Sequence, residues 1–357
     1  MKKAFSVMKT WAMSLMTRPY IWGLVAIVLL LLINLANDHS YLEITYSESQ
    51  GKLVGNLIDI LKAAAPLLMI AVGMCLVIAT EGIDLSVGSA MVIAGAISME
   101  FLHDNPNSET LGAALLAVVL AIGLGALLGL VNGVLVSVVG LQPFITTLVM
   151  MLAGRGIAKV ITDGQNTTAD SEPFGWIANG YVFGFPAVFL IAALIVIAVA
   201  FAVRRTALGL MIESIGINPK ASRLAGINAR ALLMTVYVAS GALGAVAGIF
   251  SVGSVMTVDV SQTGKFLELD AILAVVIGGT TLAGGKFSIR GAAVGALLIA
   301  TLDKTVIFLG VNAAATPAFK AVVIVAIVLL QSERVQKALR RRDVFARLRS
   351  RRLEAAS

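Results

Sequence analysis

The sequence predicts an all-α polytopic membrane protein of about ten transmembrane helices, with an inverted internal repeat and both termini cytoplasmic. Three observations carry this. First, 59% of the 357 residues are hydrophobic and only 13% are charged, against about 45–50% and about 25% in a soluble domain. Second, apolar runs recur that approach the roughly 20 residues needed to cross hydrocarbon, and the mean hydropathy is +0.95. Third, Lys and Arg gather at the two ends and in a few loops.

In chain order the segments fall near 20–36, 60–80, 85–101, 112–138, 144–162, 183–203, 230–252, 268–283, 290–309 and 317–332. The first follows a basic leader, but its long apolar run lacks a small-residue cleavage site, which reads as a retained helix. The linkers "NDHSYLEITYSESQGK", "HDNPNSET" and "TDGQNTTADSEPFGWIANG" are poor in Lys and Arg. Basic residues cluster instead in the leader (Lys2, Lys3, Lys9, Arg18) and after the sixth segment (Arg204, Arg205, Lys220, Arg223, Arg230). They recur at Lys286 and Arg290, and nine more lie between Arg334 and Arg352. An even number of crossings puts these clusters on one side, which the positive-inside rule makes cytoplasmic. The chain thus divides into a leader (1–19), a transmembrane domain (20–332) with a coupling loop (204–229), and a basic tail (333–357). The net charge of +7 belongs to that lipid-facing tail, so a nucleic-acid partner is not expected.

An internal echo links "VIATEGIDLSVGSAMVIAGAI", from Val77, to "VIGGTTLAGGKFSIRGAAVGALL", from Val276. Each is an apolar helix end, a break, and a Gly/Ala-rich helix. Two such blocks in one chain suggest an internal repeat, and inverted repeats are a transporter construction. In the first block Gly82 can end the incoming helix, and Asp84 or Ser86 can cap the next by accepting from its free amides. That makes Gly82, Asp84 and Ser86 a structural turn. The spacing of Gly125, Gly129 and Gly133, repeated at Gly291 and Gly295, places glycines on one helix face. It suits tight packing within one subunit, with a dimer interface or pathway face as the alternative.

No enzyme constellation is present. "GGTTLAGGKFS" misses the phosphate-loop pattern twice, at Thr280 and at Phe287. ATP and Mg, if transport uses them, belong to a partner ATPase, and no cofactor or metal is expected in this chain. Cys75, the single cysteine, reads as a buried apolar side chain, and His39 and His103 lie in separate polar loops. Polar residues within segments are costly and mark function. Asn132, Gln142 and Asp270 are the candidates for lining a substrate pathway. Asp303, Lys304 and Lys320 also fall within segments, and Arg155 and Lys159, one turn apart near a segment end, can snorkel. The stretch "RRTALGLMIESIGINPKASRLAGINAR" is amphipathic, held outside the membrane by flanking arginines, and suits docking of a partner. Thr206, Gly209, Glu213, Gly216, Asn218, Ala225 and Gly226 are its candidate coupling residues.

At "EGIDLSVGS" the sequence resembles the GGIDLSVG signature of permease subunits of bacterial ABC sugar importers, in the ribose, xylose and galactofuranose group. "LQPFITTLVMMLAGRGIAKVITDGQ", "RTALGLMIESIGINPKASRLAGIN", "LELDAILAVVIGGTTLAGGKF" and "FKAVVIVAIVLLQ" follow in order, covering roughly 57 to 335. The "QPF…TL…AGRG…IT.GQ" run is similar to the galactofuranose-type permeases. Position 81 is Glu where that family usually has Gly. The resemblance implies a multi-pass permease of the bacterial inner membrane. It implies a dimer with an identical or paralogous permease, an ABC ATPase docked on 204–228, and a periplasmic sugar-binding protein. The expected function is import of a monosaccharide such as galactofuranose or ribose by alternating access. The alternatives are an ion-coupled secondary transporter and an ABC permease for branched-chain amino acids.

Overall fold

Each of the ten apolar segments coincides with a helix in the computed structural model, which describes residues 20–48 and 51–331. These helices are α1 (Tyr20–Asn37), α2 (Asn56–Ala79), α3 (Val87–Asp104), α4 (Leu111–Val134) and α5 (Pro143–Ile161). After α6 (Glu172–Asn179) come α7 (Ala187–Arg205), the short α8 (Leu208–Ile217) and α9 (Pro219–Leu224), and α10 (Ala229–Val255). The chain ends with α11 (Leu267–Ile277), α12 (Ile289–Phe308) and α13 (Thr316–Gln331). Among the described residues seven helices are long and apolar enough to cross a membrane: α1, α2, α4, α5, α7, α10 and α12. Of the remaining three predicted segments, α11 has 11 residues and α13 has 16, while α3 has 18 but is less apolar. The basic leader and tail, and the domain limits placed at 1–19 and 333–357, lie outside the described residues.

Burial separates the helices into an encased set and a peripheral set. The apolar window of α2 is 78% buried, against 17% for α1 and 22% for both α5 and α7. Peripheral helices turn Leu, Val, Ile and Phe outward, such as Leu29 of α1, Val119 of α4, Leu152 of α5 and Phe201 of α7. A continuous apolar exterior of this kind is what a lipid solvent requires. Helix α10 is the hub, packing along α4, α2 and α3, while α12 packs on α2, α11 and α1.

The glycine rows serve packing inside the chain. A methyl group added at Gly125 would overlap the Gly241 carbonyl oxygen and Ala245 of α10, and one at Gly129 would overlap the Tyr237 carbonyl oxygen. At Gly133 it would press on Met234, and at Gly291 and Gly295 on Gly278 and Ala274. Close backbone approach replaces the hydrophobic drive that lipid cannot supply.

The polar linkers carry more structure than their sequences suggest. Strands β1 (Thr45–Ser47) and β2 (Lys52–Val54) pair antiparallel, as do β4 (Tyr181–Val182) and β5 (Phe185–Pro186). Strand β3 (Thr167–Thr168) pairs with β6 (Thr257–Val258), joining segments about ninety residues apart. The segment predicted over 268–283 stops at Ile277, because the chain turns at Gly278 and Gly279, the latter with φ 91°.

Gly129→Ala should lower the melting temperature of the detergent-purified chain, since overpacking costs about 1–3 kcal/mol. Gly123→Ala, on the same helix and facing open space, should leave it unchanged or slightly higher. Equal melting of the two variants would contradict the α4–α10 contact as the reason for the glycine row.

Candidate functional site

The break between α2 and α3, residues 80–86, is the focus of the polar groups. Helix α2 ends in a paired cap. The Gly82 amide donates to Val77 O at 3.1 Å and the Glu81 amide to Ile78 O at 3.0 Å. This motif places its penultimate residue in the left-handed region, where glycine is favoured. That residue is Glu81, with φ 65°, so the expectation that Gly82 makes the turn is corrected by one position. Gly82 is instead small because an added Cβ would lie 2.8 Å from the Tyr237 hydroxyl. Helix α11 ends with the same cap: Thr280 N donates to Val275 O and Gly279 N to Val276 O. Its left-handed residue is Gly279, so the structural echo runs from Val275, one residue before the match read from sequence.

Asp84 is fully buried, and three donors converge on it. Oδ1 accepts from the Ser86 amide at 3.0 Å and the Ser86 hydroxyl at 2.5 Å, and Oδ2 from the Ser240 hydroxyl of α10 at 2.7 Å. The Asn132 amide of α4 donates to Ser86 Oγ at 2.8 Å, and Thr147 of α5 donates to the Ile83 carbonyl at 2.9 Å. None of the ion pairs among the described residues involves Asp84. The cap expected at the start of α3 is absent: the N-terminal residue Ser86 makes no side-chain bond to that helix. Asp84 holds the turn and pins it to α10, while Ser86 relays Asn132 to Asp84.

The three pathway candidates do not share one setting. Asn132 is fully buried in the Asp84 network. Gln142 is exposed in the turn between α4 and α5. Asp270 pairs with Lys320 of α13 at 2.9 Å, and Lys320 also reaches Asp303 of α12 at 2.7 Å. Lys304 pairs with Asp59 of α2 at 2.6 Å.

Helix α8 is seated on the break. A Cβ at Gly216 would overlap the Ala79 carbonyl oxygen and the Gly285 amide. The Gly285 amide in turn donates to Ala79 O at 2.9 Å, and Gly284 abuts Glu81. Three chain segments therefore meet at the end of α2. Of the other coupling candidates, Gly209 packs on Val203. Thr206 accepts from the Leu208 amide, and Asn218 caps α9 by accepting from Lys220 N and Ala221 N. Ala225 and Gly226, with φ 85°, close α9. Glu213 is half-buried and lines a cavity of about 340 Å³ with Arg204, Leu210 and Phe287. The most exposed large apolar groups of α8 and α9 are Leu210, Ile217 and Leu224, with Leu224 92% exposed. Sequence reasoning missed these three, although their spacing around Pro219, Lys220 and Arg223 was visible.

Residues 56–330 match the protein family described as branched-chain amino acid transport system / permease component, and the chain belongs to this permease family. It is similar to the fructose import permease of Bifidobacterium longum (strain NCC 2705), 52% identical over 318 residues that cover 88% of each chain. The galactofuranose transporter permease of Escherichia coli (strain K12) is 41% identical over 325 residues, 90% of this chain and 92% of that one. The ribose import permease of the same strain is 40% identical over 285 residues, 79% and 87% of the two chains. No solved structure matches the chain. The chain is thus a transport component rather than an enzyme.

Glu81→Gly should raise the melting temperature, because a non-glycine residue in the left-handed region costs about 1–2 kcal/mol; a drop would show that Glu81 makes a stabilising contact. Asp84→Asn, which keeps one acceptor, should leave substantial membrane abundance, whereas Asp84→Leu strands three buried donors at about 1–3 kcal/mol each. Quantitative immunoblotting of membranes reads the difference. Equal loss of transport at normal abundance in both variants would point instead to a required charge.

Proposed function

We propose that the chain is the permease subunit of an ATP-binding-cassette sugar importer, moving a monosaccharide inward by alternating access. The observation that carries this is the identity of 40–52% to three permeases whose names specify fructose, galactofuranose and ribose transport. A small neutral polyol of that kind is the proposed cargo. A branched-chain amino acid is the second reading, which rests on the family's description alone.

In this reading ten crossings place both termini, α8, α9 and the 278–288 turn in the cytoplasm, and the strand pairs on the periplasmic side of the bacterial inner membrane. The two breaks follow the second and eighth crossings, so α2 and α11 run in the same sense and their ends meet. A separate ATPase binds ATP and Mg and docks on α8 and α9, with Leu210, Ile217 and Leu224 as its apolar contacts and Lys220 and Arg223 at the rim. A second permease, identical or paralogous, completes the dimer, and a periplasmic sugar-binding protein delivers the solute. Nucleotide binding in the partner drives the cycle only if the partner binds the two permease states with different affinity. Gly216 supplies a mechanical reason for it to do so, since α8 cannot shift without moving the end of α2.

Cells expressing the chain with its ATPase and binding protein should accumulate labelled fructose or ribose, and should stop when the ATPase loses its phosphate-loop lysine. Accumulation that survives that loss and collapses with the proton or sodium gradient would favour an ion-coupled transporter; labelled leucine tests the amino-acid reading. Leu224→Asp should reduce co-purification of the ATPase at least tenfold with chain abundance unchanged. Undiminished co-purification would remove α9 from the docking surface.

A further inference from the structure

The segment between β6 and α11, residues 259–266, sits where irregular backbone needs a special reason. Its upper end is fixed at the level of the outer end of α3: β6 pairs with β3, the Thr167 hydroxyl donates to the Glu100 carboxylate, and the His103 ring bonds Thr168 O at 3.0 Å. Its lower end is fixed at the start of α3, where a Cβ on Gly264 would overlap the Gly88 carbonyl oxygen. Twelve helical residues separate Gly88 from Glu100, about 18 Å at 1.5 Å per residue. The segment therefore descends well into a hydrocarbon core of about 30 Å. Backbone without helix or sheet at that depth is tolerated only where it is buried in protein or lines a water-filled cavity. Here Ser261, Gln262 and Lys265 are exposed on this chain, and polar side chains in contact with hydrocarbon are costly, which favours the second condition.

Two charged side chains border this segment with unused hydrogen-bonding capacity. Arg155 of α5 does not snorkel to a membrane surface: its Nη1 donates to the Thr263 carbonyl at 3.4 Å, and its Nη2 is buried with no partner. Glu268, in the first turn of α11, is 5% exposed, lies against the bare Cα of Gly88, and leaves Oε2 without a partner. Arg155 and Glu268 border the same segment, yet the two are not among the ion pairs of the described residues. A group that fits between them accepts from the guanidinium and donates to the carboxylate. A hydroxyl does both. Beside them the Phe266 ring is 61% exposed, with Lys265 Nζ 5.5 Å from its centre, which offers a flat apolar face to the C–H side of a sugar ring.

We propose that residues 259–266, with Arg155 and Glu268, form the wet wall of the solute path at mid-membrane, and that Arg155 Nη2 and Glu268 Oε2, both closed off in this structure, bind hydroxyl groups of the sugar once the path opens. The location of the wall stands on geometry alone; the identity of the hydroxyl-bearing solute rests on the sugar-import reading. The wall replaces Asp270, which pairs with Lys320, and Gln142, which lies in the exposed turn before α5, as the contact point; Asn132 gives its amide to Ser86 and, with Oδ1 unpartnered, stays within the Asp84 network.

Cysteine accessibility tests the wall without requiring transport. In a Cys75→Ala background, Ser261→Cys and Gln262→Cys in the full chain should react with a membrane-impermeant charged methanethiosulfonate at least tenfold faster than Leu152→Cys, whose side chain faces out from α5 and is 65% exposed. Rates equal to that of Leu152→Cys would overturn the wall, whatever the chain transports. For the hydroxyl contact, Glu268→Gln and Arg155→Gln in the assembled importer should cut uptake of labelled fructose at least tenfold at chain abundance within twofold. The wild-type preference for fructose over its monodeoxy analogues should fall toward one in Glu268→Gln. Unchanged uptake, or reduced uptake with the preference intact, would reduce Arg155 and Glu268 to structural residues solvated by water. Failure of all ATP-driven sugar uptake alongside fast labelling would strike the import reading and the sugar contact but leave the wall.

Discussion

The hydrogen bond from the Gly285 amide to the Ala79 carbonyl, 2.9 Å long, joins the broken ends of two interrupted helices. A buried helix end survives only if protein satisfies its free backbone groups. Both breaks first satisfy themselves through the same cap, Gly82 to Val77 and Thr280 to Val275. Each then satisfies the other. Gly216, Gly284 and Gly285 are small because three backbones converge there, and any side chain at Gly216 would displace the bond itself. The junction is therefore rigid, in the way that packed interiors are: it changes arrangement as a unit or not at all.

Asp84 supplies the second constraint. A carboxylate with no paired cation is expensive in an apolar surrounding unless donors converge on it. Ser86 and Ser240 provide them from the turn and from α10, and Asn132 extends the chain of donors to α4. The Lys320 pair with Asp270 and Asp303 solves the same problem differently, by direct charge neutralisation between α11, α12 and α13. The two solutions have different consequences. An ion pair tolerates a change of angle, whereas a carboxylate accepting three directed bonds fixes its turn in place.

Much of this was legible in the sequence. Apolar runs near 20 residues located every long helix, because hydropathy reports the solvent directly. The repeated "VI" followed by glycines located both breaks, and the four-residue glycine spacing located the α4 contact face. What failed did so for physical reasons. Gly82 attracted the turn assignment since glycine usually takes the left-handed position, but that position holds Glu81, and Gly82 is required by the nearby Tyr237 hydroxyl. Arg155, read as snorkelling, reaches the Thr263 carbonyl, which lies 108 residues away in sequence. Its partner is a backbone oxygen with no signature in residue identity. Glu268 was overlooked beside Asp270, since two acids in one helical turn look alike until one is seen to pair and the other is not.

On the proposed function, the stretch from Ala79 to Gly88 joins everything that must move together. Ala79 receives Gly216 of α8, the docking helix. Five residues later Asp84 ties the turn to α10, and two further on Ser86 ties it to α4. Gly88 then carries Gly264 and Glu268 on its back. A displacement of α8 reaches the mid-membrane wall through ten residues, most of them held by backbone contacts or directed hydrogen bonds, without passing along a flexible side chain. The demand on such a link is two discrete arrangements that both ends can bias. Cap, carboxylate and glycine contacts are short and directed, which suits such a link. That is why charge and small size, rather than bulk, fill this part of an otherwise apolar chain.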